Sequence, residues 1–251
     1  METLLSNYRT IGLEEMGKVK LMNRTDTKFV TTRQRLLQLL EMAQKDYFVQ
    51  EIGGKSIMNY ATTYYDTPRF DMFYVHQAGH ANRQKMRVRT YVDSNLRFLE
   101  VKTKNNHKRT RKKRIAVDDF NKHSQDQMDF LAGTLKYDAA TLSPSLANTF
   151  KRITLVNTSM TERLTIDTSL RFQSLVTGKE RDMGDLVVVE LKRDSLSPSP
   201  VLDILWHLRI HPCGFSKYCI GSSLTNDRLR VNRFKAKLIG VNKIVPGIFQ
   251  R

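Results

Sequence analysis

The chain has 251 residues, 40% of them hydrophobic, which is enough apolar material for a core and excludes a disordered polymer. Its 42 Lys and Arg against 25 Asp and Glu give a formal charge of +17, more than solubility requires, so an anionic partner is expected. Nucleic acid, an acidic membrane surface, nucleotides and polyphosphate all satisfy charge alone, so the placement of the cations must decide.

Residues 1–20 mix Glu2, Arg9, Glu14 and Glu15 among their apolar neighbours and lack the continuous apolar region of a signal peptide. No later run approaches the roughly 18 to 20 apolar residues needed to cross a bilayer, and a cytoplasmic protein without a transmembrane segment is expected. Residues 23–30 read as a strand with Arg24, Asp26 and Lys28 on one face. Thr31 or Thr32 can cap a helix to about residue 44, striped by Leu36, Leu37, Leu39, Leu40 and Met42. Two strands over 47–52 and 57–66 are joined by a Gly53-Gly54 turn, and 70–76 reads as a short helix. The tyrosines here, Tyr64 and Tyr65 among them, read as core residues with a wet hydroxyl.

Strands follow over 84–91 and 98–104. Side chains alternate between the faces of a strand, so Arg87, Arg89 and Tyr91 point one way and Met86 and Val88 the other. In the second strand Glu100, Lys102 and Lys104 share a face, with Leu99, Val101 and Thr103 behind it. If the two pair, several cations and one carboxylate gather on one surface, which is costly unless that surface meets water or anions.

The run over 105–115, which includes His107 and Lys108 to Arg114, reads as a solvated loop, a nucleic-acid patch, or the return strand of a hairpin turning at Asn105-Asn106. In the hairpin, Lys113 or Arg114 faces the same surface as Lys102. A short helix is expected over 126–133, then a link through Pro144 to 146–150 and strands over 151–157, 160–172 and 185–193. The last repeats the Glu-x-Lys spacing in Glu190 and Lys192. Pro198 and Pro200 precede a helix to about Leu208, and a turn over 212–214 leads to Ser216-Lys217-Tyr218. Cys213 and Cys219, the two cysteines, read as inert thiols, too few for a disulfide scaffold and without zinc-site spacing. Residues 228–237 form a basic tail segment. No solenoid repeat or long linker appears, so a single domain over 1–251 is expected.

The amphipathic helices need apolar strand faces to pack against, which leaves the charged faces gathered elsewhere. Either they line an ordinary half-exposed sheet, or the sheet curls into a barrel with the cations inside, where guanidinium groups would make a strong phosphate site.

Several features occur in order: Lys28 in Thr-Asp-Thr-Lys-Phe, Tyr65-Asp66-Thr67, Arg87-x-Arg89-x-Tyr91, Glu100-x-Lys102 and Lys113-Arg114. Arg152, Arg163 in Arg-Leu-Thr-Ile-Asp-Thr, Glu190-x-Lys192 and Phe215-Ser216-Lys217-Tyr218 continue the series. Together, over about residues 20–235, they resemble the VTC domain, the polyphosphate polymerase branch of the triphosphate tunnel metalloenzymes, in its stand-alone bacterial form. The resemblance implies an α+β fold with a closed antiparallel β-barrel, the triphosphate tunnel, and helices packed outside.

Carried over by position, Lys28, Arg87, Arg89, Lys102, Lys113, Arg114, Arg152, Arg163, Lys192, Lys217 and Tyr218 would bind phosphate. Glu190, with Glu100 as second candidate, would hold Mn²⁺ or Mg²⁺. Arg87, Arg89, Lys102, Glu190 and Lys217 would carry the transfer of the ATP γ-phosphate to a growing polyphosphate chain. The alternatives are a triphosphatase of the same fold acting on inorganic triphosphate or a nucleoside triphosphate, and a non-enzymatic binder of polyphosphate or nucleic acid. Nucleic acid is the weaker partner, because the basic residues lie on strands without a recognition-helix pattern. The chain departs from the related Glu-x-Glu-x-Lys pattern at Phe98 and Val188, which argues against a two-metal hydrolase. Gly214 stands where the family often has a further lysine.

Overall fold

A computed structural model describes residues 1–17, 19, 24–106, 110–194 and 197–250. In chain order the elements are α1 (Glu2–Leu5), β1 (Arg9–Ile11), α2 (Leu13–Met16), β2 (Arg24–Thr32), α3 (Arg33–Ala43), β3 (Tyr47–Gln50) and β4 (Met58–Asp66). Then come α4 (Asp71–Gln77), β5 (Arg83–Tyr91), β6 (Leu96–Lys104), β7 (Thr110–Ala116), α5 (Gln125–Ala132), β8 (Ser143–Asn157) and β9 (Glu162–Ser174). The chain ends with β10 (Glu180–Asp182), β11 (Leu186–Asp194), α6 (Pro200–His207), α7 (Lys217–Thr225) and α8 (Lys235–Ile244).

The strands form one sheet in the order β2-β11-β9-β8-β4-β5-β6-β7, antiparallel along that path, with β10 on β9 and β3 on β8. Only β1 on β3 is parallel among the described pairs. The alternation read from the sequence decides which side of the sheet is buried. The apolar sides of β2, β8, β9 and β11, with Phe29, Ile153, Leu164, Ile166, Val189 and Leu191, pack under Leu36, Leu39 and Leu40 of α3 and Val201 and Leu205 of α6. Met86, Val88, Leu99 and Val101 of β5 and β6 pack under Leu131 and Leu135. Each such fully buried side chain contributes about 1.5–3 kcal/mol. The polar sides of the same strands are left to line a concave face.

Several expectations are corrected here. The closed barrel is not formed: the sheet is a curled half-barrel, and no ladder joins β7 to β2 among the described residues. The edge explains this, since Arg111, Lys112, Lys113 and Arg114 are consecutive exposed cations on β7, and charged edges resist further pairing. The link expected at Pro144 is instead part of a 15-residue strand, because Pro144 sits opposite Tyr65 at a register shift, where a missing N–H breaks no regular ladder. Gly53 and Gly54, at φ 57° and 74°, make a turn, but the strands they join do not pair with each other. Both lie against β8, β4 on its first part and β3 on its end. The hairpin of β6 and β7 is present, while Asn23, His107, Lys108 and Arg109 lie outside the described residues. The helices α7 and α8 have no counterpart in the sequence expectation. No helix among the described residues is long and apolar enough to cross a membrane.

Candidate functional site

The site grows from two cross-strand pairs. On β5 and β6, Arg87 stands opposite Glu100, and its guanidinium meets Glu100 Oε2 at 2.8 Å from Nε and 2.6 Å from Nη2. Lys112 Nζ takes the other oxygen at 3.0 Å. On β2 and β11, Lys28 stands opposite Glu190 and reaches Oε1 at 2.6 Å, while Lys192 Nζ is 3.8 Å from Oε2. The two pairs face one another across the concavity. Burial lowers the Lys102 ammonium, and the charges acting on it are Glu190, Lys28, Arg87 and Asp26, so β6 looks at β11 and β2.

The floor between them belongs to β8 and β9. Arg152 makes a two-pronged pair with Asp167, Nε to Oδ1 at 2.6 Å and Nη2 to Oδ2 at 2.8 Å. Lys217, the first residue of α7, also contacts Asp167 Oδ2. Tyr60 and Phe150 stack beneath these groups with centroids 5.1 Å apart and planes at 7°. Lys217 Nζ lies 4.0 Å from the Phe150 centroid, and Arg152 and Arg89 approach both rings at 5.1–5.8 Å. Aromatic faces hold cations in place without neutralising them, so their charge remains available to a ligand.

Lys217 reaches the floor because α7 lies close against the sheet. A Cβ on Gly221 would fall 2.6 Å from the Phe172 ring and 2.7 Å from Leu146, so only glycine allows that approach. Ser216 caps the helix, accepting from Cys219 N at 3.2 Å, and accepts from Lys85 Nζ at 2.7 Å as well.

Electrostatics divide the carboxylates from the cations. Burial works to raise Glu100, but Arg87, Arg89 and Lys112 outweigh it and hold it at about 2. Asp167 is likewise opposed by burial and carried well below its ordinary range by Arg152 and Lys217. Glu190, against the same burial, is held low by Lys28, Lys192 and Lys102. The cations divide: burial is outweighed at Arg87 by Tyr64 and Glu100 and at Arg152 by Asp167, so both are raised, while Lys217, Lys192 and Arg89 are lowered. Burial brings Lys217 down to about 7, against the pull of Asp167, and Lys192 to about 8, against that of Glu190. Arg89 falls to about 10 through burial and its neighbours Arg87 and Arg152. Excess positive charge packed at this density favours an incoming anion.

The structure brings Lys28, Arg87, Arg89, Lys102, Arg152, Lys192 and Lys217 onto the concave face, with Arg163 beside Lys192 at one end. Arg114 shares that face, its guanidinium 4.3 Å over Phe98. Three expectations fail. Lys113 pairs with Val101 and so stands on the reverse side, and Lys112 holds the inward place. Tyr218 is buried in the core against Phe73 and donates its hydroxyl to Asp66, so it offers nothing to a phosphate. Glu100, only 1% exposed with both oxygens held by cations, is a structural counter-ion rather than a metal ligand. The departures from the carboxylate pattern also have a reason. Val188 is buried under α7, and Phe98 packs edge-on against Tyr91.

Asp167, Tyr60, Phe150, Lys85 and Lys112 were missed as site residues. Period-two alternation from Arg87 would have found Lys85, and the face shared by Arg163, Thr165 and Asp167 would have found Asp167.

For a divalent cation the donor set is narrow: no three His, Cys, Asp or Glu side chains come together among the described residues. Glu190 nevertheless fits an ion that arrives with phosphate. Its side chain is 14% exposed and one oxygen has only a loose contact, and Mg²⁺-type ions are commonly held by one or two carboxylates plus substrate phosphates.

The family model described as the VTC domain matches residues 23–226. Among solved structures, HpAC1 from Hippeastrum, provisionally classed as an adenylyl cyclase and described as having a dominant triphosphatase activity, is 14% identical with a TM-score of 0.47, covering 80% of this chain and 96% of its own. A protein from Vibrio parahaemolyticus provisionally classed as an adenylate cyclase is 10% identical, TM-score 0.46, covering 79% and 97%. A conserved hypothetical protein from Pyrococcus furiosus is 13% identical, TM-score 0.41, covering 75% and 91%. No curated protein matches the chain.

Proposed function

The chain belongs to the VTC domain family, and we propose that it is a metal-dependent polyphosphate polymerase that passes the γ-phosphate of ATP to the end of a polyphosphate chain. The observation that carries this reading is the convergence of Lys28, Arg87, Arg89, Lys102, Arg152, Lys192 and Lys217 on one concave face around Glu190, a carboxylate that keeps some access to solvent. Phosphoryl transfer needs positioning and charge neutralisation and no protein nucleophile, which is what such a face supplies.

In this reading Arg152 and Lys217, fixed by Asp167 and the Tyr60–Phe150 stack, and Arg87, fixed by Glu100, hold the non-bridging oxygens of donor and acceptor. The acceptor's terminal phosphate is already deprotonated near neutral pH, its second pKa being about 6, so no general base is required. Its oxygen attacks the γ-phosphorus. A P–O–P bond forms as the bond between the γ-phosphorus and the β–γ bridging oxygen breaks, and ADP leaves with that oxygen. Glu190 would hold Mn²⁺ or Mg²⁺, which when bound supplies charge neutralisation on the phosphate oxygens. Lys28, which pairs with Glu190 in the free protein, is then released to phosphate.

Incubation of purified protein with ATP and either metal, followed by dye staining of a gel for polymer, tests this. A ladder of polymer that disappears with Glu190→Gln is the expected result. Absence of polymer with both metals overturns it. Free phosphate released from inorganic triphosphate without chain growth would assign a triphosphatase instead, and salt-sensitive binding without turnover a polyanion binder.

A further inference from the structure

Beyond Arg87, the polar face of β5 and β6 continues with two more cross-strand pairs, Lys85 opposite Lys102 and Arg83 opposite Lys104. Like charges placed directly opposite one another destabilise a sheet unless something offsets them. Among the described residues no ion pair joins Arg83, Lys85 or Lys102 to a carboxylate. The row is tied to the loop before α7, because Lys85 donates to Ser216 Oγ. Two residues earlier in that loop is Gly214, which has no side chain to offer. The space is taken from elsewhere: a Cβ at Gly214 would lie 3.2 Å from Lys237 Nζ. Lys237 belongs to α8, beyond the residues that match the family.

The convergence is felt by His76, which faces this end from α4. Burial, joined by the charges of Lys85, Arg83, Lys237 and Lys104, pushes it down to about 2 and leaves it neutral. Its ring packs edge-on to Phe234, over which Lys237 Nζ also lies at 5.9 Å. The helix α8 is thus built into the wall at this end.

We propose that Arg83, Lys85, Lys104 and Lys237 form a second anion subsite at this mouth of the concavity, where they hold the phosphates of chains longer than triphosphate. Lys237 supplies the charge that Gly214 cannot. This rests on the reading that the concavity takes polyphosphate, and it adds the direction in which the chain runs, from the Arg152 and Lys217 floor past Ser216 towards α8.

The test compares the affinities of inorganic triphosphate and of a long-chain polyphosphate for wild-type protein, Lys237→Ala, and Lys237→Ala combined with Gly214→Lys. Lys237 is exposed, so its removal leaves the core untouched. Lys237→Ala is expected to weaken long-chain binding about three- to tenfold, to lower its log–log salt slope by about 0.7–0.9, and to leave triphosphate binding unchanged. Gly214→Lys, placing an ammonium in the vacated space, restores long-chain affinity. Equal binding of the long chain by wild type and Lys237→Ala, or equal losses for both ligands, overturns the subsite while the polyphosphate reading stands. Wild-type protein that binds neither ligand overturns both.

Discussion

Lys217 and Asp167 are in direct contact at the floor of the concavity, and Asp167 at the same time holds Arg152 by two hydrogen bonds of 2.6 and 2.8 Å. One carboxylate therefore serves two cations, and the floor keeps a net positive charge. Such a charge has a cost in the free protein that an anion relieves, which makes proton uptake an observable of binding.

The lysine is the group that reports it. Burial holds Lys217 at about 7, below its ordinary 10.5, so between those values the unfolded chain binds more protons than the native one. From this group alone, stability of the free protein rises as pH increases through that window. A bound phosphate favours the charged form and reverses the shift. Titration of triphosphate at pH 8 in buffers of different ionisation enthalpy should show net proton uptake, reduced in Lys217→Ala. Lys85 and Lys192, both brought down to about 8 by burial, supply the remainder.

Glu190 separates metal dependence from phosphate affinity. Its carboxylate is ringed by Lys28, Lys102 and Lys192, and removing its charge leaves those cations to the ligand. Glu190→Gln is expected to abolish polymer synthesis while metal-free binding of triphosphate is kept or tightened. Calorimetry with and without Mn²⁺ checks this; a parallel loss of metal-free binding would assign Glu190 a structural role.

Glu100 behaves oppositely. It is 1% exposed and held at about 2, against an ordinary 4.5, by Arg87, Arg89 and Lys112 acting against burial. A depressed carboxylate contributes stability that is present above its unfolded pKa and lost as pH falls towards the folded one, here from about 4.5 to about 2. Glu100→Gln strands Arg87 and should cost about 3 kcal/mol at pH 7 in urea unfolding, with a shallower acid limb than wild type.

What the sequence carried was the alternation. Arg87 with Arg89, Glu100 with Lys102, and Glu190 with Lys192 each share a face by period two within their own strand, whereas the pairing that sets Lys28 against Glu190 came only with the sheet. Register was a different matter. A slip of one residue flips every side chain, and the polar run before β7 offers no apolar pattern to pin it, so Lys113 and Lys112 exchange places. Tyr218 fails for a related reason. The resemblance carried it over beside Lys217, but in a helix consecutive residues are about 100° apart, and one points to the floor while the other enters the core. The helix itself, rich in Gly and Ser, has weak intrinsic propensity and is held by burial against Phe172 and Leu146.

On the convex side, away from every phosphate-facing group, Tyr47 and Glu162 make a pair that should affect stability and nothing else. Both are fully buried; Tyr47 donates its hydroxyl to Glu162 and accepts from Val201 N, at the start of α6, at 3.0 Å. The tyrosine thus ties β3, β9 and α6 together. Tyr47→Phe removes a donor from a buried carboxylate and orphans a helix N–H, at about 1–3 kcal/mol. Burial raises Glu162 above its ordinary range, so stability from this group is complete below pH 4.5 and lost as pH rises through the folded value. Glu162→Gln keeps an acceptor for Tyr47 and cannot ionise, so its stability in urea unfolding is expected to lack the part of the wild-type fall with rising pH that this group causes. Triphosphate affinity should be the same in wild type and both variants; a loss in either would mean that the convex core sets the geometry of the Arg152 and Lys217 floor.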